Sequence, residues 1–413
     1  MPLKLRAAMR KCKAARDHHR KVHRRLADKM GLVRAEDSVR MANLKAVTYE
    51  VHLPRLGVAY PPKGYWIYER PDTGALWHQR IVEDKMPDKR TKRLPMHQED
   101  ISQLAHIVPP DQGATIYDAT SGEIAVVIIR DFCRDEDVKN WVGDVIVEDI
   151  SKTRSVRLED AGKLVCVGYT AGSRSKPTFD WARNLLSKKH PPTYINGLAC
   201  RASSAAALNF NLVRGRLPDA LTRDLDEYLV KNQFCRMDGQ GTMAENGGSH
   251  GTYCIQKGND SVEFHNVELA PPTAFMGANY ARYVGNICTV LHIELVNSAM
   301  HTEYQPHRFA FSWTTNRNLK DDEGGNFYIA SYGVKVCMAP NTFIAWCPQD
   351  VHGTSLMHRD PYCNTPPFAQ WGISVATSSR LASIWKKYQD GIISAEEAER
   401  QWEESCEDDV IID

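Results

Sequence analysis

The sequence predicts an α+β protein built around a closed double-sheet jelly roll, and three observations lead there. From Ser261 onward eight short strand-like runs follow one another, separated by glycine and proline turns, as in a rolled antiparallel sheet. Upstream, apolar residues at helical spacing cover roughly 202–213 and 219–231, and such helices normally buttress the outside of a sheet. The chain has 413 residues and 42% hydrophobic content, enough for one large core or two smaller ones. One large domain with an elaborate N-terminal extension is the expectation.

The divisions expected are a basic helical arm over 1–50, an α+β extension packing on the core over 51–190, the jelly-roll domain over 191–390, and a C-terminal helix with an acidic tail over 391–413. Residues 4–30 are dense in lysine and arginine against only Asp17 and Asp28. Their apolar residues, Leu3, Ala7, Ala14, Ala15 and Leu26, are too sparse for a core face, so a solvated helix is expected. Such an arm suits phosphate contact on DNA or RNA, or nuclear import; an exposed helix or disordered segment with no specific partner remains the alternative.

Between Val51 and Val82 the pattern is strand-like, and Pro71-Asp72-Thr73-Gly74 reads as the turn of a hairpin. A second hairpin is expected around Ser121-Gly122, with an apolar and therefore central strand after it. A helix over 134–150, a buried strand over 164–169 and a short amphipathic helix carrying Phe179, Trp181, Ala182 and Leu185 follow. The glycine-rich stretch from Asp238 to His250 lacks the spacing of a dinucleotide fingerprint and reads as a loop near the site mouth. The strands of the roll are expected at 262–267, 280–284, 287–296, 309–315, 326–330, 334–338, 342–346 and 371–377. A helix over 381–388 and another capped by Ser394, with Glu397 three residues on, close the chain.

Net charge is +1, which excludes a whole-molecule field for a polyanion. Eleven cysteines without a C-x-x-C pair, and no apolar leader core, indicate a reducing intracellular setting, nuclear or cytoplasmic. No apolar run is long enough to span a membrane.

The chemistry concentrates between Met300 and Leu356. His301 and Glu303 stand two apart, so on a strand both side chains point one way. His352 follows about fifty residues later, the length that several short hairpins consume. Two imidazoles and one carboxylate in this order are the ligand set of a facial triad for iron(II). Strand-end histidines hydrogen-bonded to carboxylates are the alternative. A second pair, His292 and Glu294, lies inside a continuous strand run, whereas His301 and His352 both sit at loop mouths.

These residues also carry a resemblance. Asn279-Tyr280-Ala281-Arg282-Tyr283, His301-x-Glu303 with Pro306-His307, the Phe309-Ala310-Phe311-Ser312-Trp313 strand, Gly324-Gly325-Asn326-Phe327 and Pro348-x-Asp350-x-His352-Gly353-Thr354 follow in order. Together with Asp118-x-x-Ser121-Gly122-Glu123 and Phe179-x-Trp181-x-Arg183-Asn184, they resemble the Tet-like iron(II)/2-oxoglutarate oxygenases expanded in mushroom-forming fungi, over about residues 110–390. The resemblance implies a double-stranded β-helix, iron(II) on His301, Glu303 and His352, and oxidation coupled to conversion of 2-oxoglutarate and O₂ into succinate and CO₂. Better-known relatives act on 5-methylcytosine or thymine in DNA, flipping the base out of the duplex.

The chain departs from that pattern where an arginine should clamp the distal carboxylate of 2-oxoglutarate. The neighbourhood reads Phe368-Ala369-Gln370-Trp371-Gly372, with no cation. Arg380 and Arg359 are the nearest substitutes, and Gln370 and Ser312 are candidate neutral contacts. The stretch Gly285–Met300 is a second departure, an insert-like strand ahead of the metal pair. Two function classes follow: a 2-oxoglutarate-dependent oxygenase acting on a modified base, or a degenerate jelly roll serving as a nucleic-acid or protein-binding module.

Overall fold

The structure, a computed structural model, describes all residues except 1–20, 86–92, 157–159, 173–175, 183–184, 188–189, 240–247, 282–304, 364–366, 376, 378 and 401–413. In chain order its strands are β1 (Tyr49–Leu53), β2 (Trp66–Tyr68), β3 (Met96–Gln98), β4 (His106–Val108), β5 (Ala114–Asp118), β6 (Ile124–Ile129), β7 (Ala161–Gly172), β8 (Pro177–Trp181), β9 (His250–Lys257), β10 (Asp260–Glu268), β11 (Thr273–Ala281), β12 (Ala310–Arg317), β13 (Phe327–Ile329), β14 (Val334–Val336), β15 (Thr342–Trp346), β16 (His352–Thr354) and β17 (Gln370–Val375). The helices needed below are α1 (Asp37–Val47), α2 (Pro71–His78), α3 (Glu136–Lys152), α4 (Pro192–Arg216), α5 (Asp219–Lys231) and α6 (Ser379–Gln389).

A nine-stranded sheet runs in the order β1-β5-β6-β15-β12-β17-β11-β7-β8, antiparallel except for the β1–β5 pair. A four-stranded sheet runs β16-β13-β14-β4. The large sheet draws strands from both sides of residue 190, so the N-terminal extension and the C-terminal strands share one hydrogen-bonded layer.

Period-2 alternation decides what each face touches. In β12, Phe311 and Trp313 point into a core shared with α3 and α4, while Ala310, Ser312 and Thr314 point the other way. In β15, Phe343 and Ala345 join that core and Ile344 and Trp346 face the four-stranded sheet. A second core, including Ile329, Val334 and Val336, holds the two sheets together.

The helices on the outer face start and stop for local reasons. Asp135 caps α3, its carboxylate accepting from the Val138 amide, with Glu136 and Asp137 in the first turn. Pro192 opens α4 and Arg214 and Arg216 close it. Between them, Ala205, Ala206 and Ala207 are all fully buried, and their small side chains let the helix approach closely. Asn341, in the turn before β15, ties three pieces together: its Oδ1 accepts from the Cys133 amide at 2.9 Å and from Trp313 Nε1 at 3.1 Å, and its Nδ2 donates to the Cys133 carbonyl at 2.8 Å.

Several expectations are corrected. The hairpin expected around Pro71–Gly74 is instead β2 followed by α2, because Pro71 serves as a helix start rather than a turn corner. Gly74 is there for space: a Cβ would lie 2.6 Å from the Tyr68 ring. The short helix expected around Phe179 is strand β8, with Phe179 stacked on Tyr169 and tilted against Trp385. The basic arm is not wholly solvated, since residues 21–30 are helical and bury Leu26 and Met30 in the main core. The hairpin at 115–129, the helix over 219–231, and the strands at 309–315, 326–330, 334–338, 342–346 and 371–377 are present within a few residues of the expected limits, whereas the helix expected over 202–213 starts ten residues earlier, at Pro192. The strand expected at 287–296 and most of that at 280–284 lie outside the described residues. No helix among the described residues is long and apolar enough to cross a membrane.

Candidate active site

Between the two sheets lies a cavity of about 190 Å³. The large sheet contributes Ser312, Gln370 and Ser374, and the small sheet contributes Phe327, His352 and Thr354. Polar groups therefore project into the cavity from β12 and β17, which send Phe311, Trp313 and Ile373 into the main core on their other face. That is unusual for the space between packed sheets, which is normally filled by hydrophobic side chains.

His352 opens β16 and is buried. Its ring sits 5.5 Å from that of Trp346 and 6.0 Å from that of Phe327, both tilted to it. Nδ1 lies 2.8 Å from the Asp350 carbonyl oxygen. A carbonyl only accepts, so Nδ1 donates to it, the arrangement that orients an imidazole as a metal ligand through its other nitrogen. Burial pushes the Asp350 carboxyl up, while Arg55 at 2.9 Å and the neighbouring His352 oppose that rise.

Ser312 and Gln370 both line the cavity. The Ser374 hydroxyl donates to Ser312 Oγ at 3.0 Å across the β12–β17 pair. Gln370 Nε2 donates to the Gly325 carbonyl at 3.1 Å. Arg359 and Arg380 are not among the lining residues. The Arg359 guanidinium donates to the His358 carbonyl at 2.9 Å and lies 3.8 Å from Glu323, in the loop before β17. Arg380 is in the first turn of α6, the helix that follows the last strand. His301, Glu303 and Arg282 lie outside the described residues, and among the described residues no three metal-ligating side chains cluster.

Sequence reasoning missed two groups. Arg317 ends β12 directly across from Gln370 and donates to its Oε1 at 2.5 Å. The pairing of strands far apart in sequence brings them together, so no local motif announces it. Behind the small sheet, Lys335 lies 2.8 Å from both Glu69 and Glu99, all three buried. Tyr328 donates to Glu99 at 2.8 Å and Asn326 to Glu69 at 2.9 Å. Burial alone would lower the Lys335 pKa, but the two carboxylates hold it above the usual lysine range.

No protein family matches the sequence, and no curated protein does. Among solved structures, the chain is similar to NgTET1, determined in complex with 5mC DNA, with a TM-score of 0.34 and 8% identity over 83% of this chain and 90% of that one. That likeness is too distant to transfer a function.

Proposed function

We propose that this chain is an iron(II)- and 2-oxoglutarate-dependent oxygenase acting on a modified, 5-methylcytosine-like base in nucleic acid, with His301, Glu303 and His352 as the metal ligands. The observation that carries the reading is His352: a buried imidazole at a strand start, its Nδ1 bound to a backbone carbonyl and its ring at the wall of a polar cavity between two sheets. A histidine that merely filled the core would not need that cavity beside it.

The path of the strands supports the same reading. From β11 the described chain runs through β12 in the large sheet, β13 and β14 in the small, β15 in the large, β16 in the small and β17 in the large. Alternation of this kind is the path of a double-sheet jelly roll, a double-stranded β-helix, with the metal pair expected just before β12. Iron(II), bound with 2-oxoglutarate, would supply the activation of O₂ for attack on an unactivated C–H bond. The chain's own part is to hold the imidazole, through the Asp350 carbonyl and the rings of Trp346 and Phe327, and to keep bulk water from the inner end of the cavity.

A second reading is a nucleic-acid-binding jelly roll without cosubstrate, and the neutral Gln370 where a cation was expected favours it. Anaerobic addition of iron(II) and 2-oxoglutarate separates the two. The oxygenase develops a visible metal-to-ligand charge-transfer band that depends on both additions; its absence from folded protein leaves the binding module.

A further inference from the structure

The segment that follows β1 is tied to the stretch that leads into β16. The Leu56 amide donates to the Ser331 carbonyl at 2.8 Å and the Tyr60 amide to the Ala330 carbonyl at 2.9 Å. Residues 56–60 therefore run along the single helical turn Ala330–Tyr332 that joins β13 to β14. Ser331 in turn grips the approach to His352. Its hydroxyl accepts from the Val351 amide at 2.7 Å, and its own amide donates to the Val351 carbonyl at 3.2 Å. Arg55 completes the circuit, with Nη2 2.9 Å from Asp350 Oδ1.

The Asp350 side chain is 3% exposed, whereas that of Arg55 is 53% exposed. A buried carboxylate needs a cation, and among the described residues Arg55 is the only lysine or arginine within 4.0 Å of this one. An apolar residue at 350 would fill the space with no such requirement, so burial alone does not explain the acid. Its peptide is the one that orients the imidazole. In the planar unit joining Asp350 to Val351, the N–H and the C=O point to opposite sides. Ser331 Oγ takes the N–H, and the C=O accepts from His352 Nδ1 at 2.8 Å. The Asp350 amide donates back to the Cys347 carbonyl at 3.0 Å and closes the turn. Arg55 thus holds the side chain whose displacement would tilt that plane.

We infer that Arg55 is a positioning residue for His352: anchored through Leu56 at the 330–332 turn, it clamps the Asp350 carboxylate and thereby fixes the peptide whose carbonyl aims the imidazole. The pair is held by charge, not by a forked pair of hydrogen bonds, so the compact ammonium of a lysine can replace the guanidinium. The N-terminal extension reaches the site in this way without lining the cavity. That the aimed ring serves a metal rests on the oxygenase reading; the clamp itself does not involve the metal.

Metal-free, full-length protein carrying isotope-labelled histidine tests this by proton NMR. The His352 Nδ1 proton, identified by its loss in His352→Ala, is protected from exchange with water in the wild type. It exchanges at least about tenfold faster in Arg55→Met and regains wild-type protection in Arg55→Lys. A pair that only neutralised a buried charge would lower the thermal midpoint of Arg55→Met and leave this proton protected in the folded protein. That result, a wild type without a protected proton, or Arg55→Lys exchanging as fast as Arg55→Met overturns the assignment. Should Arg55→Met fail to fold, Arg55→Gln, which keeps polar reach without charge, carries the same comparison. Iron(II) binding by the wild type separates the two claims. Protein whose Nδ1 proton depends on Arg55 but takes no iron(II) keeps the clamp and loses the oxygenase. Protein that takes iron(II) and keeps the proton protected in Arg55→Met loses only the clamp.

Discussion

Lys335 shows how much a single charge holds here. Glu69 and Glu99 are buried on either side of it, and nothing else of positive charge lies within 4.0 Å of them among the described residues. Replacing it by methionine keeps the volume and strands two carboxylates, which should cost about 3–5 kcal/mol. Urea denaturation of Lys335→Met checks this, and a loss below about 1 kcal/mol would contradict it. The same network abuts the site through Asn326, whose Oδ1 accepts from the Met338 amide at 2.8 Å, beside the cavity wall. At this scale the placement of His352, Ser312 and Gln370 on strands at one cavity was legible in the sequence, because each belongs to a short motif or a strand whose alternation can be read directly. Arg317 was not. Its meaning depends on the register that sets it opposite Gln370, and a search near the last strand alone looks past it.

Among the elements, strands with clean alternation and capped helices were read correctly, and Ser394 does accept from the Glu397 amide at 3.2 Å. The failures are physical. Pro71 and Gly74 look like turn residues until Tyr68 is seen packed where a Cβ would stand. β1 and β4 are short, and each joins its sheet by a parallel pairing with a strand distant in sequence, which no local pattern encodes.

Helix α3 carries a testable consequence of its own. Asp149 lies on its buried face, and burial, aided by Glu148 and opposed by Arg201, pushes its carboxyl up to about 8. An unfolded aspartate titrates near 3.9. The unfolded chain therefore loses this proton at lower pH than the folded one, so the group's stabilising contribution is complete below about pH 4 and drains away as pH rises toward 8. Asp149→Asn removes that drain. Its thermal midpoint should fall less than the wild type's between pH 5 and pH 8; equal falls would contradict the assignment.

At the level of the whole molecule, the nine-stranded sheet makes the N-terminal extension and the C-terminal strands one layer, and the helical residues 21–30 are part of what covers it. Lys29 lies 2.9 Å from the buried Asp135, which Lys257 also contacts. Burial would raise the Asp135 carboxyl, yet these lysines hold it below the usual carboxylate range. Residues 21–30 thus belong to the fold, and the phosphate contact proposed for the arm can be tested apart from them. Deleting residues 1–20 should weaken duplex binding and flatten its salt dependence with little change in thermal midpoint. Deleting 1–30 should also destabilise the fold by about 2–5 kcal/mol, because Leu26 and Met30 leave the core. An unchanged salt slope after the shorter deletion would assign the arm to something other than phosphate contact.

The proposed activity requires His301, Glu303 and His352 to share one metal. Anaerobic measurement of bound iron(II) in the wild type and in His301→Ala, Glu303→Ala, His352→Ala and His292→Ala tests it most directly. The prediction is one equivalent in the wild type and in His292→Ala, and a loss of at least about tenfold in affinity in each of the other three. Wild-type iron content in His352→Ala, or loss of iron in His292→Ala with retention in His301→Ala, would contradict it.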